Sequence, residues 1–125
     1  VAGNFVNDDG LASIEFAVEL LKSPLILVLG HSGCGAISAA IDARKGATFA
    51  GHIGRLADAV APAVETTRDA GADWHAAAVA QNVRDAVRAL TERSAILAND
   101  VRDGNLLIVG AVYDLHTGTV NLLSS

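Results

Sequence analysis

Residues 25–36 read LILVLGHSGCGA, and the prediction of the fold rests on them. The stretch begins with an aliphatic run, Leu25–Leu29, that shows no polar alternation and lies between Pro24 and Gly30. A continuous apolar run of this length is typical of a strand that is buried on both faces of a parallel sheet. A glycine-rich turn and a helical pattern over Ala36–Arg44 follow it. The order strand, tight turn, helix is half of a βαβ unit and predicts an α/β domain.

Apolar residues recur at helical spacing elsewhere along the chain. Further amphipathic helices are predicted over three segments: Gly10–Leu21, Ile53–Val64 and Val79–Leu90. Asp8 or Asp9 is expected to cap the first of these helices, and Pro62 is expected to kink or end the second. Ser94 is expected to cap a short helix that runs through Val101.

Two more strands are predicted towards the C-terminal side. A second aliphatic run, Leu106–Val109, extends to Tyr113 and predicts a second buried strand. After a turn over Asp114–Gly118, the segment Thr119–Leu123 predicts an antiparallel strand at the edge of the sheet. We therefore expect a single α/β domain over residues 1–125, with a mainly parallel sheet flanked by helices.

The composition excludes several classes of protein. Of the 125 residues, 51% are apolar, which is ample for a buried core and argues against disorder. The net charge of −5 and the aromatic content of 4% disfavour a nucleic-acid partner. The apolar runs are too short to cross a bilayer, and no signal-peptide pattern opens the sequence, so we expect no membrane partner and a cytoplasmic location. The single cysteine, Cys34, excludes an intrachain disulfide.

The turn over Gly30–Gly35 is the candidate site, because it follows the carboxyl end of a strand, where α/β sheets place their ligands. A phosphate-binding loop is one interpretation, but the spacing fits neither common glycine-rich phosphate motif and no Lys follows. A metal site is the second, since His31 and Cys34 offer the nitrogen and sulfur donors that suit Zn²⁺, and a helix N-terminus favours the thiolate. A structural cysteine beside a hydrogen-bonded histidine is the third, which H-x-x-C spacing alone does not exclude.

Several segments of the chain resemble β-class carbonic anhydrases. The most specific is G-H-S-G-C-G-A at Gly30–Ala36, after the aliphatic strand and the helical segment that contains Ser13–Val18. Ala2–Asn4 resembles the end of the family's R-x-A-G-N stretch, with the Arg outside this chain. Gly110–Asp114, followed by Thr117–Gly118, is similar to the family's last strand and turn. The resemblance spans nearly all of the chain and implies a β-carbonic-anhydrase-like fold that is incomplete at its N-terminal side.

The resemblance implies a zinc lyase that interconverts carbon dioxide and bicarbonate. Members of this family hold one catalytic Zn²⁺ through two cysteines and one histidine, and the metal activates the water that attacks CO₂. By resemblance, His31 is the histidine ligand and Cys34 is the second cysteine ligand, while the backbone of Gly33 lines the substrate pocket. The family also implies a homodimer or a larger homo-oligomer.

The family's first cysteine ligand lies in a C-x-D-S-R motif that this sequence lacks. The same motif supplies the Asp–Arg pair that orients or blocks the metal-bound water, so no catalytic residue is identifiable besides the metal ligands. We expect the chain to be a fragment of a longer protein. One alternative is a truncated relative that acts as a structural or interaction module, or whose metal site another chain completes. Another is a same-fold enzyme that hydrolyses carbonyl sulfide or carbon disulfide.

Other conspicuous side chains have simpler interpretations. Three further histidines are candidates for a replacement ligand: His52, His75 and His116. His75 and His116 are expected to be solvated. An exposed face is predicted for the arginines of the long helix: Arg84, Arg88 and Arg93. Trp74 is expected to pack in the core or at an interface rather than to bind substrate.

Overall fold

The computed structural model of the chain describes residues 1–124. Five helical segments, of which four are α-helices and one is a 3₁₀ helix, separate the first two strands. The elements in chain order are α1 Asp8–Glu19, β1 Leu25–His31, α2 Gly35–Arg44, α3 Ile53–Thr66, a 3₁₀ helix Arg68–Asp73, α4 Trp74–Arg93, α5 Ala95–Arg102, β2 Leu107–Tyr113 and β3 Val120–Leu122. None of the helices in the described part of the chain combines the length and the apolar character that a bilayer crossing requires.

The sheet has the order β1-β2-β3 and contains one parallel and one antiparallel pair. β1 and β2 pair in parallel, with Leu25 opposite Leu107 and His31 opposite Tyr113. β3 returns antiparallel along β2, and Leu122 lies opposite Ala111. A parallel pair needs a long crossover connection, and the segment from α2 to α5 supplies it. The predicted α/β class and the antiparallel edge strand are confirmed.

α4 packs closely against one face of the sheet because two glycines leave room for it. A Cβ atom added to Gly30 would lie 2.6 Å from Cγ2 of Val83, and one added to Gly110 would lie 2.7 Å from Cγ1 of the same side chain. Val83 is fully buried between the two strands and the rest of the core. α1 and α5 complete this core, to which they contribute Leu11 and Leu97.

The opposite face of the sheet is exposed, which corrects the prediction of a strand buried on both faces. Leu25, Leu27 and Leu29 of β1 retain 53%, 45% and 42% of their accessible surface. Leu107 and Leu122 are exposed on the same face, because residues paired across neighbouring strands project to the same side. An aliphatic run without alternation is compatible with a strand buried on one face or on both. The sequence pattern therefore could not show that other elements cover only one face of β1.

The predicted cap of α1 was wrong, and Pro62 does not end α3. Asn7, rather than Asp8 or Asp9, caps α1, and its Oδ1 accepts a hydrogen bond of 2.8 Å from the backbone N–H of Gly10. α3 continues past Pro62, which lies on the exposed side of the helix while the opposite side is buried against α2 and α4. Packing of an amphipathic face supplies most of the stability of such helices and here outweighs the missing N–H of the proline.

Candidate metal centre

The turn between β1 and α2 is held by contacts to the end of β2. The backbone N–H of Ser32 donates to the carbonyl oxygen of Tyr113 at 2.9 Å, and its hydroxyl accepts from the N–H of Leu115 at 2.9 Å. Gly33 has a φ of +68°, in the left-handed region that side-chain-bearing residues rarely adopt. The chain can therefore reverse direction between the end of the strand, His31, and the start of the helix.

His31 is exposed at the carboxyl end of β1. Its Nδ1 lies 2.9 Å from the carbonyl oxygen of Ser32. A carbonyl oxygen only accepts hydrogen bonds, so Nδ1 is the donor, and in the neutral imidazole this leaves the lone pair on Nε2. This is the tautomer and orientation in which a histidine binds a metal through Nε2 while its other nitrogen is held by a backbone carbonyl. The ring borders an open hollow of about 280 Å³, together with Leu29, Tyr113 and Leu115.

Cys34 occupies the position immediately before α2 and is 5% exposed. Its thiol makes no capping hydrogen bond to the helix, and it belongs to the apolar cluster formed by α2, α3 and α4. The side chain therefore lies at the boundary between the buried helical layer and the turn that carries His31. An imidazole nitrogen and a sulfur atom are a donor set that suits Zn²⁺.

The carbonyl oxygen of Cys34 accepts hydrogen bonds from two other residues. Nε2 of His75 lies 3.0 Å from it. The backbone N–H and the hydroxyl of Ser38 donate to the same oxygen at 3.1 and 3.3 Å. His75 is therefore half-buried against the candidate site, and the expectation that it is solvated was wrong. Because 41 residues separate His75 from Cys34, no local sequence pattern could have indicated this contact.

The other two histidines lie away from this cluster of contacts. His52 is exposed just before α3 and borders an open hollow that also contains Asp9 and Arg55. His116 is exposed in the β2–β3 turn, where its backbone N–H donates to Oδ1 of Asp114 at 2.8 Å. This hydrogen bond is the main reason why the pKa of the Asp114 carboxyl is lowered.

Within residues 1–124, no group of three or more His, Cys, Asp or Glu side chains is arranged to hold a metal ion. His31 and Cys34 therefore provide two candidate donors, and none of His52, His75 and His116 is placed as a third. A zinc site normally uses at least three protein ligands. His31 and Cys34 have donor atoms that suit two of these three ligand positions.

The remaining residues singled out from the sequence have structural roles. Trp74 packs against the apolar cluster that contains Cys34, and its Nε1 donates to the carbonyl oxygen of Val64 at 2.9 Å. The arginines of α4 are exposed, as predicted, and two of them form ion pairs with carboxylates. Arg88 lies 2.6 Å from Asp85, and Arg93 lies 2.6 Å from Asp8.

Comparison with known proteins shows that the chain is similar to carbonic anhydrases both in sequence and in fold. The family model described as carbonic anhydrase matches residues 1–120. A carbonic anhydrase of Mycolicibacterium smegmatis is 38% identical over 124 residues, which are 98% of this chain and 60% of that protein. The chain thus spans about three fifths of the length of this curated relative.

Solved structures of β-carbonic anhydrases have the same fold. The wild-type enzyme CafD of the filamentous fungus Aspergillus fumigatus superposes with a TM-score of 0.76 at 27% identity, over 98% of this chain and 71% of that one. One of two tetrameric β-carbonic anhydrases of Sordaria macrospora reaches a TM-score of 0.86 at 18% identity, over 99% of this chain and 66% of that one. At this lower identity the likeness concerns the fold alone.

Proposed function

This chain belongs to the β-class carbonic anhydrase family, and we propose that it supplies two ligands of a zinc site that hydrates carbon dioxide reversibly to bicarbonate. The observation that carries the proposal is the pairing of donors on one turn. Nδ1 of His31 lies within hydrogen-bond distance of the Ser32 carbonyl oxygen, which leaves Nε2 for a metal, and Cys34 precedes α2 three residues later. Both donors suit zinc, and both match the family's motif by resemblance.

Each residue of the turn has a distinct part in this proposal. His31 binds the metal through Nε2 and is oriented by the carbonyl of Ser32. Cys34 binds it as a thiolate, with its backbone held by Ser38 and His75. Gly33 lines the substrate pocket with backbone alone. Zinc in such a site acts as a Lewis acid and lowers the pKa of a bound water towards about 7.

We propose that residues 1–125 form one domain and that the third protein ligand comes from outside them. Two donors are present in the described part of the chain, whereas a catalytic zinc normally has three protein ligands. The missing donor would come from a longer form of the same protein or from a partner subunit. The exposed apolar face of the sheet supports association with a second copy, since monomers rarely leave such a patch uncovered.

Zinc content tests the metal site directly. The full gene product that contains these residues is purified with zinc, and its metal content is measured by elemental analysis for the parent protein and for Cys34→Ala and His31→Ala. We expect about one zinc per chain in the parent and loss of zinc in both variants, because each removes a ligand. His116→Ala is the control, as its ring lies in the exposed β2–β3 turn. Zinc retained at the parent level in Cys34→Ala would contradict the metal site.

The reaction is tested by stopped-flow hydration of carbon dioxide on the zinc-loaded gene product. We expect a rate above that of the uncatalysed reaction and its loss in Cys34→Ala. Stoichiometric zinc without hydration would refute the proposed activity. Release of sulfide from carbonyl sulfide or carbon disulfide would then identify the related hydrolase, and the absence of both reactions would identify a structural or interaction module.

A further inference from the structure

Three hydrogen bonds converge on a single backbone atom, the carbonyl oxygen of Cys34. Two come from Ser38, one turn further along α2, through its backbone N–H at 3.1 Å and its hydroxyl at 3.3 Å. The third comes from Nε2 of His75 in the first turn of α4, at 3.0 Å. A helix-capping carbonyl normally accepts the first bond of its helix, so the additional contact from another helix requires an explanation.

The partners of His75 fix its protonation at this nitrogen. The carbonyl oxygen of Cys34 can only accept, so Nε2 of His75 carries a proton and donates it. The same nitrogen lies 3.1 Å from the hydroxyl oxygen of Ser38, whose own proton points to that carbonyl. Imidazole, hydroxyl and carbonyl thus form a closed triangle around the peptide that joins Cys34 to α2.

We propose that His75 is a positioning residue for the metal site, which fixes the orientation of Cys34 from a second helix. The inference rests on the proposed role of Cys34 as a metal ligand. The peptide plane after Cys34 is held from two directions, along α2 by Ser38 and across to α4 by His75. Its thiol therefore projects from a backbone that cannot rotate freely, and a ligand held in place before metal arrives loses less entropy on binding.

The first turn of α4 is itself rigidly placed. The neighbouring Trp74 packs against the same apolar cluster as Cys34 and is tied to α3 by its hydrogen bond to the carbonyl of Val64. Val79 and Val83, further along α4, are buried against α2 and the sheet. The position of His75 is thus set by packing on both sides of it, which suits a residue that orients another.

Metal affinity measures this role in the full gene product. His75→Phe keeps a planar ring but removes the donor, whereas His75→Gln keeps an N–H donor on a flexible side chain. Residues that orient metal ligands typically change affinity by roughly 10- to 100-fold, and we expect a loss of that size for His75→Phe and recovery to within a few-fold for His75→Gln. Zinc dissociation constants are measured by competition with a chromophoric chelator. His52→Phe is the matched control, because that ring is exposed and makes none of the hydrogen bonds among Cys34, Ser38 and His75.

A spectroscopic readout separates positioning from packing. With Co²⁺ in place of zinc, the thiolate-to-metal charge-transfer band reports the geometry at the sulfur of Cys34. We expect His75→Phe to shift or weaken this band and His75→Gln to restore it. If His75→Phe fails to fold, Ser38→Ala removes the other side-chain donor to the same oxygen and is measured in its place, with a smaller loss expected because the backbone N–H of Ser38 remains.

A metal-free measurement completes the test. Alkylation of Cys34 by iodoacetamide in the metal-free full gene product is followed by mass spectrometry of the peptide that contains Cys34, so that no other thiol contributes to the measured rate. We expect faster alkylation in His75→Phe than in His52→Phe at equal free energy of unfolding. Unchanged affinity, spectrum and alkylation in His75→Phe would overturn the inference, as would a loss that His75→Gln does not repair. If Cys34→Ala leaves the metal affinity unchanged, the proposed metal site fails instead, so the two failures are distinguishable.

Discussion

Single glycines around the candidate site are required for two different physical reasons. At Gly33 the backbone is left-handed, but an added Cβ would meet only Cδ1 of Leu115 at 3.9 Å, an ordinary contact. At Gly30 the backbone would tolerate a side chain, but the added atom would lie 2.6 Å from the buried Val83. Gly35 has neither constraint, because nothing lies within 4 Å of its added Cβ.

Substitution of each of these glycines by alanine is predicted to change the free energy of unfolding by a different amount. Gly30→Ala should lower the free energy of unfolding by about 1–3 kcal/mol through overpacking, and Gly33→Ala by about 1–2 kcal/mol through backbone strain. Gly35→Ala should be neutral or stabilise by up to about 1 kcal/mol, since alanine is the better helix former. Urea unfolding of the three variants checks the order. Equal effects at all three positions would contradict it.

At the scale of elements, a buried serine joins two helices that are distant in the chain. Ser94 is 2% exposed and caps α5, because its hydroxyl oxygen accepts from the backbone N–H of Leu97 at 3.2 Å. The same hydroxyl donates to Oε1 of Glu15 in α1 at 2.6 Å. The cap was predicted from the sequence, whereas the link to α1 was not.

Two substitutions of Ser94 should distinguish the stability contributed by the cap of α5 from that contributed by the hydrogen bond to Glu15. Ser94→Ala removes both hydrogen bonds and should cost about 1–2 kcal/mol in unfolding free energy, which is the upper range for the loss of a helix cap. Ser94→Asp should not restore stability, although aspartate caps helices as well as serine does, because its carboxylate would face Glu15. Chemical denaturation at neutral pH provides the measurement. Recovery in Ser94→Asp would show that the cap alone matters.

At the scale of the whole molecule, the helices and the sheet leave one apolar layer uncovered. α4 covers one face of the sheet, while the other face exposes leucines from all three strands, among them Leu27, Leu107 and Leu122. Contiguous apolar surface of this kind marks sites of association in soluble proteins. The exposed end of the same face carries His31, so a subunit packed there would border the candidate metal site.

Charge placed on this face is predicted to weaken self-association. Leu27→Lys combined with Leu107→Lys should shift the sedimentation profile towards the monomer, since buried lysines would have to be desolvated in the interface. The unfolding free energy should change little, because both side chains are exposed in the single chain. Ile53→Lys, at an exposed apolar position of α3, is the control. An unchanged profile in the double variant would exclude the sheet face as the interface.

Most elements of the fold were predictable from local patterns. The helical spacing before Leu21, the aliphatic runs at Leu25–Leu29 and Leu106–Val109, and the cap at Ser94 all depend on residues that are neighbours in the chain. The G-H-S-G-C-G-A segment likewise indicated the family and the two candidate ligands, because both lie within one turn. Pro62 does not end its helix, since the packing of α3 outweighs the local preference of proline.

Residue order alone was thus sufficient for the α/β class and most element types, because periodicity and short motifs are properties of adjacent residues. It also identified His31 and Cys34 as candidate ligands, which stays a prediction. Three-dimensional packing was needed for the rest. Whether β1 is covered on one face or two depends on what lies beside it, and the same aliphatic run suits both. The contact between His75 and Cys34 joins residues 41 positions apart, and only the approach of α4 to α2 creates it.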